Sequence, residues 1–325
     1  MLLLKDIKGQ SNSVRYLSNS LSSGRISASY LFSGPSGVGR ALTVKAFLSE
    51  LLFPGYGKGE DPLRDIHEIE KISKKEHPDV KWLMPEKNKN IGISEIREAK
   101  DFLYMKPFSS TSNAVVIEDA HMMTQEAANA LLKVLEEPPK NSLLVLISDK
   151  KELIPATVLS RCSEVRFSGL SEENAKKVIM ENSDADEKTA GFLARFSQGS
   201  VGRALESLKT GFQERQTAPN EILKNLTCRG RDVFMTWYSE DKGILIDDID
   251  SVIGMLRDAV FIKEGISLPM LQGDPLGEKA SWQICKKPTG EIYRTMARLV
   301  ELKSALMGNV NPKVTAQALP VMISG

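Results

Sequence analysis

The chain has 325 residues, 41% hydrophobic and 26% charged, with 43 Lys and Arg against 42 Asp and Glu; two or three domains are expected at that length, and no overall basic footprint argues for autonomous nucleic-acid binding. Cys162, Cys228 and Cys285 lie far apart with no C-x-x-C pair, which argues against a disulfide framework and a cysteine zinc site and fits a cytoplasmic location. Met1 to Leu4 is too short for a signal peptide, and no stretch approaches the roughly 18 apolar residues of a membrane span.

In chain order, Val14, Leu17 and Leu21 recur at helical spacing before Gly24 ends the segment. Tyr30-Leu31-Phe32 reads as a short strand. Gly34-Pro35-Ser36-Gly37-Val38-Gly39-Arg40-Ala41 follows, with a helix after it carrying Val44, Phe47, Leu48 and Leu51 and stopped by Pro54. Strand, glycine-rich loop and helix are the setting of a phosphate loop, G-x-x-x-x-G-K-[ST], whose N–H groups cradle phosphates. Gly34, Gly37 and Gly39 supply that frame. Arg40, however, stands where Lys belongs and Ala41 where the metal-ligating hydroxyl belongs, and a methyl group ligates no metal.

The charged stretch from Pro54 to Pro78 reads as a solvated loop and helix. His67 and His77 have no metal-ligand spacing around them. Ile91 to Arg97 reads as a strand end entering a helix capped by Ser94. Asn113 to His121 is a buried-type strand ending in Glu118 and Asp119, where a phosphate-loop nucleotidase holds Mg²⁺ and positions water, although exposed acids at a strand end are common. Gln125 to Glu137 has a helical core stripe, Ala128, Leu131, Leu132 and Leu135, stopped by Pro138-Pro139. Leu143 to Ile147 is another buried strand, with Ser148-Asp149 at the carboxyl end where open α/β sheets bind ligands. Arg161, taken alone, is a surface cation with a salt bridge.

Near residue 168 the texture changes to capped helices. Arg203 falls in the first turn of a helix that follows the Gly199 to Gly202 glycine pair. Further on, Ile249, Val252, Ile253, Leu256 and Val260 form one stripe, and Ile292, Met296, Leu299, Leu302 and Leu306 another. Trp237 and Trp282 read as packing residues.

These segments together resemble the AAA+ clamp-loader subunits of bacterial DNA polymerase III, most of all the delta-prime type. The match is carried by Asp6 to Gln10, Tyr30 to Pro35, His77-Pro78-Asp79-Val80, Ile93 to Arg97, Glu118-Asp119-Ala120, Leu159-Ser160-Arg161-Cys162, Gly199 to Leu205 and Asn309 to Pro312. Most specific is the run from Ala127 to Pro139. The resemblance implies a RecA-like AAA+ domain with a parallel sheet over residues 1–168, a helical lid over 169–212 and a helical collar over 213–325 that joins a ring-shaped pentamer. It implies gamma/tau-type ATPase subunits and a delta subunit as partners, with the sliding clamp and primer-template DNA reached through the assembly and no membrane. Arg161 becomes a finger presented in trans to a neighbour's ATP, and Arg203 takes the position that senses nucleotide on its own subunit.

Two departures from the family pattern matter. Phe53 to Glu76 holds no cysteine, so the zinc module of many relatives is not expected. Active relatives also have Asp then Glu where this chain has Glu118 then Asp119. The expected nucleotide site, Gly34, Gly37, Gly39, Arg40, Glu118, Asp119, Ser148 and Arg203, is therefore degenerate: no cofactor is required, and ATP or ADP binds without hydrolysis if at all. A working AAA+ ATPase is the alternative reading, and a nucleotide-binding scaffold of another assembly is a third.

Overall fold

The computed structural model describes residues 3–54, 62–86, 89–209, 242–265 and 287–307. By its contacts the chain divides into two compact units, Met1–Asp184 with Ser197–Arg203, and Ala185–Phe196 with Ala204–Gly325.

The first unit is an α/β domain around one five-stranded sheet: β1 (Ser29–Ser33), β2 (Val80–Leu83), β3 (Asn113–Ile117), β4 (Ser142–Ser148) and β5 (Ser163–Arg166). The order is β2-β3-β4-β1-β5 and every pairing is parallel. Strands buried on both faces need continuous apolar runs. Accordingly β1, β3 and β4 are almost entirely buried. The helices are α1 (Ser11–Ser23), α2 (Arg40–Leu52), α3 (Pro62–Lys74), α4 (Ile93–Leu103), α5 (Gln125–Glu136), the one-turn α6 (Ala156–Leu159) and α7 (Glu172–Glu181). Helix α1 ends at Gly24 in a left-handed cap, and α5 starts at Thr124, whose Oγ1 accepts the Ala127 N–H. On one side of the sheet, α4 and α5 bury Ile96, Ala99, Leu103, Ala128, Leu131 and Val134 against β3 and β4.

Two expectations change. Helix α4 begins after Gly92 with no side-chain cap, because the Ser94 hydroxyl donates to Glu95 instead. The stretch read as solvated carries α3, which buries Ile69, Ile72 and even Glu68; the charges had hidden an apolar stripe at helical spacing. His77 is likewise buried. Its Nδ1 accepts the Asp79 N–H at 3.0 Å, its Nε2 faces Glu68 at 3.3 Å, and burial pushes its pKa down.

Where β1 meets β5, Glu164 accepts from Ser33 Oγ (2.6 Å), Lys151 Nζ (2.7 Å) and Arg166 Nε (2.9 Å). Burial pushes its carboxyl up, but these donors outweigh it and bring the pKa down to about 2 from 4.5. A depressed folded pKa stabilises above the unfolded value and is lost as pH falls through the folded one. Glu164→Gln should therefore lower stability by about 1–2 kcal/mol at pH 7, a value reduced for partial exposure. Urea unfolding from pH 5 to pH 2 should show the gap closing.

The second unit takes in α8 (Glu187–Phe196), and α9 (Val201–Lys209) starts among residues of the first unit and ends among those of the second. In the second unit, α10 (Lys242–Lys263) and α11 (Thr289–Met307) pack through Ile249, Val252, Leu256 and Val260 against Ile292, Leu299, Leu302 and Leu306. Both expected stripes are thus core, and Lys303 pairs with Asp250 at 2.6 Å. Trp237, Trp282, Cys228, Cys285 and Asn309 to Pro312 lie outside the described residues.

Candidate functional site: a glycine-rich loop at the carboxyl end of the sheet

The site is built at the carboxyl ends of β1, β3 and β4, where a parallel sheet opens its binding crevice. The loop leaves β1 at Gly34, whose N–H donates to Ser148 O at 3.3 Å. Gly34 sits at φ +139 and a Cβ there would lie 2.3 Å from Phe167 O, so only glycine fits. Gly37 is equally constrained: φ is +74 and a Cβ would meet Ser200 Oγ at 2.3 Å.

Two side chains and one backbone N–H take up the loop's carbonyls. Ser200 Oγ donates to Ser36 O (2.8 Å), Gly202 N–H to Gly37 O (2.8 Å), and buried Gln10 Nε2 to Val38 O (3.3 Å) and Ser168 O (2.7 Å). Among the described residues, the N–H groups of Ser36 to Gly39 have no hydrogen-bond partner. A loop with its carbonyls occupied and its N–H groups free is a nest for an anion.

Arg40, the first residue of α2, is 7% exposed. Its Nη1 is buried with no hydrogen-bond partner. Burial pushes the guanidinium below its usual pKa, and the negative charges of Asp149, Asp119 and Glu118 work against that shift. Glu118 itself is paired with Lys75 Nζ at 2.8 Å, and the same Nζ lies 5.0 Å over the Trp82 ring. Asp119 follows in a left-handed backbone, φ 47 and ψ 47, uncommon for a non-glycine residue and frequent at functional sites. Beside it His121 Nδ1 lies 3.2 Å from Ser148 Oγ and 3.5 Å from Asp149 Oδ1.

The structure thus places Gly34, Gly37, Gly39, Arg40, Glu118, Asp119 and Ser148 at the carboxyl ends of the adjacent strands β1, β3 and β4. It brings Arg203 to the loop by its backbone, since a Cβ on Gly37 would lie 3.0 Å from Arg203 N. Arg161 belongs to a different cluster: its Nη2 pairs with Glu136 at 2.7 Å, and its Nη1 donates to Thr157 O at 2.9 Å. Sequence reasoning missed Gln10, Lys75, His121 and Glu136 as members of these sites. Only Asp149, beside Ser148 at the strand end, left a signal.

For a Mg²⁺-nucleotide the fit is divided. The cradle and the unpartnered Arg40 Nη1 suit phosphate. Ala41 offers the metal nothing, and the next hydroxyl, Thr43 Oγ1, is fully buried and donates to Gly39 O at 2.9 Å.

This geometry defines a glycine-loop α/β domain of the AAA+ kind, with Arg40 and Ala41 at the two positions after the last glycine of the loop. Residues 9–171 match the family described as DNA polymerase III, delta subunit, and the chain belongs to that clamp-loader family. The delta' subunit of DNA polymerase III from Bacillus subtilis is 26% identical over 323 residues, 95% of this chain and 94% of that protein. The gamma subunit from Buchnera aphidicola of Acyrthosiphon pisum is 34% identical over 210 residues, 63% of this chain; the chain spans 57% of that relative's length. A crystal structure of a gamma-subunit-related protein from Thermotoga maritima is 18% identical, with a TM-score of 0.46 over 94% of this chain and 98% of that one.

Proposed function

We propose that this chain is a non-hydrolysing, delta-prime-like subunit of the DNA polymerase III clamp loader, presenting Arg161 in trans to ATP on a neighbouring subunit. The reading rests on the contrast between its two arginines. Arg40 is sunk in a loop without a metal-ligating hydroxyl, whereas the Arg161 side chain is 35% exposed and held at the surface by the Glu136 ion pair and a hydrogen bond to Thr157 O. Bound nucleotide would supply the neighbour's chemistry. This chain's part is to place a guanidinium against the charge that develops on the transferring phosphoryl group.

The same reading assigns residues 169–212 to a lid and 213–325 to a collar. It gives the chain gamma/tau-type ATPase and delta subunits as partners in a ring-shaped pentamer, acting in the cytoplasm to load the sliding clamp onto primed DNA. Reconstitution with candidate ATPase subunits tests it, through the mass of the assembly and ATP turnover with and without Arg161. No stable assembly would reject the reading. Steady turnover by the chain alone, abolished by Asp119→Ala, would replace it with a motor subunit.

The free loop N–H groups support nucleotide binding without turnover. Fluorescently labelled ADP should bind the purified chain, and Arg40→Ala should weaken it about tenfold or more, the worth of a charge-assisted hydrogen bond.

A further inference from the structure

We propose that Lys75 stands in for a divalent ion at Glu118, so that the glycine loop takes the diphosphate of a nucleotide free of metal. The inference rests on the reading above that the loop binds nucleotide, and it concerns the form in which the nucleotide binds.

Lys75 follows the last turn of α3 at φ 63, with its N–H on Ile72 O (3.1 Å) and the Glu76 N–H on Lys71 O (2.8 Å). Those two bonds make the helix ending whose left-handed residue is usually glycine. A lysine there strains the backbone, and such strain gathers at functional sites. The turn is also tied to the loop's own helix, because Lys45 of α2 donates from Nζ to Ser73 O. From this position the Lys75 ammonium reaches the ends of two strands. It lies 2.8 Å from Glu118 Oε1 just past β3. It also donates to Met84 Sδ at 3.0 Å just past β2 and lies 5.0 Å over the Trp82 ring. Only 26% of the Lys75 side chain and 20% of that of Glu118 are exposed, so salt screens the pair in part.

Charge gives this arrangement its use. A compact ammonium and a divalent ion do the same service for a carboxylate, bringing positive charge where an anion must approach. Without Lys75, the carboxylates of Glu118, Asp119 and Asp149 would act on Arg40 together, and phosphates entering the loop would meet a negative excess unless an ion came with them. With Lys75 on Glu118, that acid has its cation already. The loop agrees, since Ala41 offers a metal ion no hydroxyl. Lys75 acts through Glu118 and is therefore a positioning residue.

Fluorescently labelled ADP titrated into the full chain in EDTA should bind saturably, and excess Mg²⁺ should not tighten it; this comparison needs no substitution. Lys75→Met keeps an unbranched stem against Trp82 and removes the charge. In EDTA it should weaken ADP about tenfold or more, the effect of one carboxylate left facing an anion, and Mg²⁺ should restore part of that loss. Adding Glu118→Gln to Lys75→Met should bring metal-free binding back to within about threefold of wild type, a rescue that a merely structural role for Lys75 would not give. Far-ultraviolet circular dichroism verifies folding of both variants. Three results would overturn the proposal while leaving the nucleotide reading standing: wild-type binding that Mg²⁺ tightens, a folded Lys75→Met chain as tight as wild type in EDTA, or a folded double variant no tighter than Lys75→Met. No saturable ADP binding with or without Mg²⁺ would overturn both.

Discussion

Arg161→Ala, assembled with partner ATPase subunits under the proposed function, is expected to slow ATP turnover at the one site this chain faces by about 10³-fold, the lower end of what a trans guanidinium contributes. Loss of the side chain leaves the fold alone, because the Glu136 pair it breaks is surface-exposed and worth at most about 1 kcal/mol. The same figure bounds what it costs to draw Arg161 away from Glu136 onto a phosphate, so the pair parks the finger without locking it. Glu136→Gln should accordingly change turnover by less than about fivefold, with the assembly intact. Arg161→Lys should recover little, since an ammonium lacks the planar fork that spans two phosphate oxygens. Turnover that is unchanged in Arg161→Ala, in an assembly of unchanged mass, would remove the finger role while leaving the subunit's place in the ring.

How far the sequence could reveal this follows from the range of each interaction. β1, β3 and β4 were legible because apolar runs bounded by turns encode buried parallel strands locally, and the glycine loop because Gly34 and Gly37 need backbone freedom where they stand. A helix at α3 was legible too, but its buried face was not, since its charged residues outnumber the apolar stripe of Ile69 and Ile72. Of the candidate site, Arg40, Glu118 and Asp119 were found by position relative to the loop. Their relations were hidden: Glu118 is claimed by Lys75, which sits at φ 63 just past α3, and His121 meets Asp149 only because β3 and β4 lie side by side. Gln10 is the clearest case. It closes the Asp6 to Gln10 segment that matches the family, yet its work, joining Val38 and Ser168 by one buried amide, is visible only once both chain segments pass it.

The second large effect belongs to Asp79, and it is on stability. The side chain accepts backbone N–H groups from Phe108 (2.6 Å), Ser109 (2.8 Å) and Ser110 (2.8 Å), with Ser109 Oγ at 3.3 Å, in a residue 2% exposed. Burial alone would raise its pKa; the converging donors prevail and hold it below the usual carboxylate range. Asp79→Ala removes the acceptor from three donors at once, each costing about 1–3 kcal/mol if left dry, and water entering the space recovers part. The expected loss is about 3–4 kcal/mol, read as a lower urea midpoint at unchanged slope. Asp79→Asn should fall between, because one amide oxygen serves fewer donors and its NH₂ faces N–H groups. The loop those donors belong to carries Phe108 at 85% exposure, so amide exchange should quicken first at residues 108–110. A loss below about 1 kcal/mol would mean that the loop holds its shape without the carboxylate. The wild-type advantage over Asp79→Ala should also fade as pH drops below the ordinary aspartate range, because a depressed carboxylate stabilises only while it stays ionised.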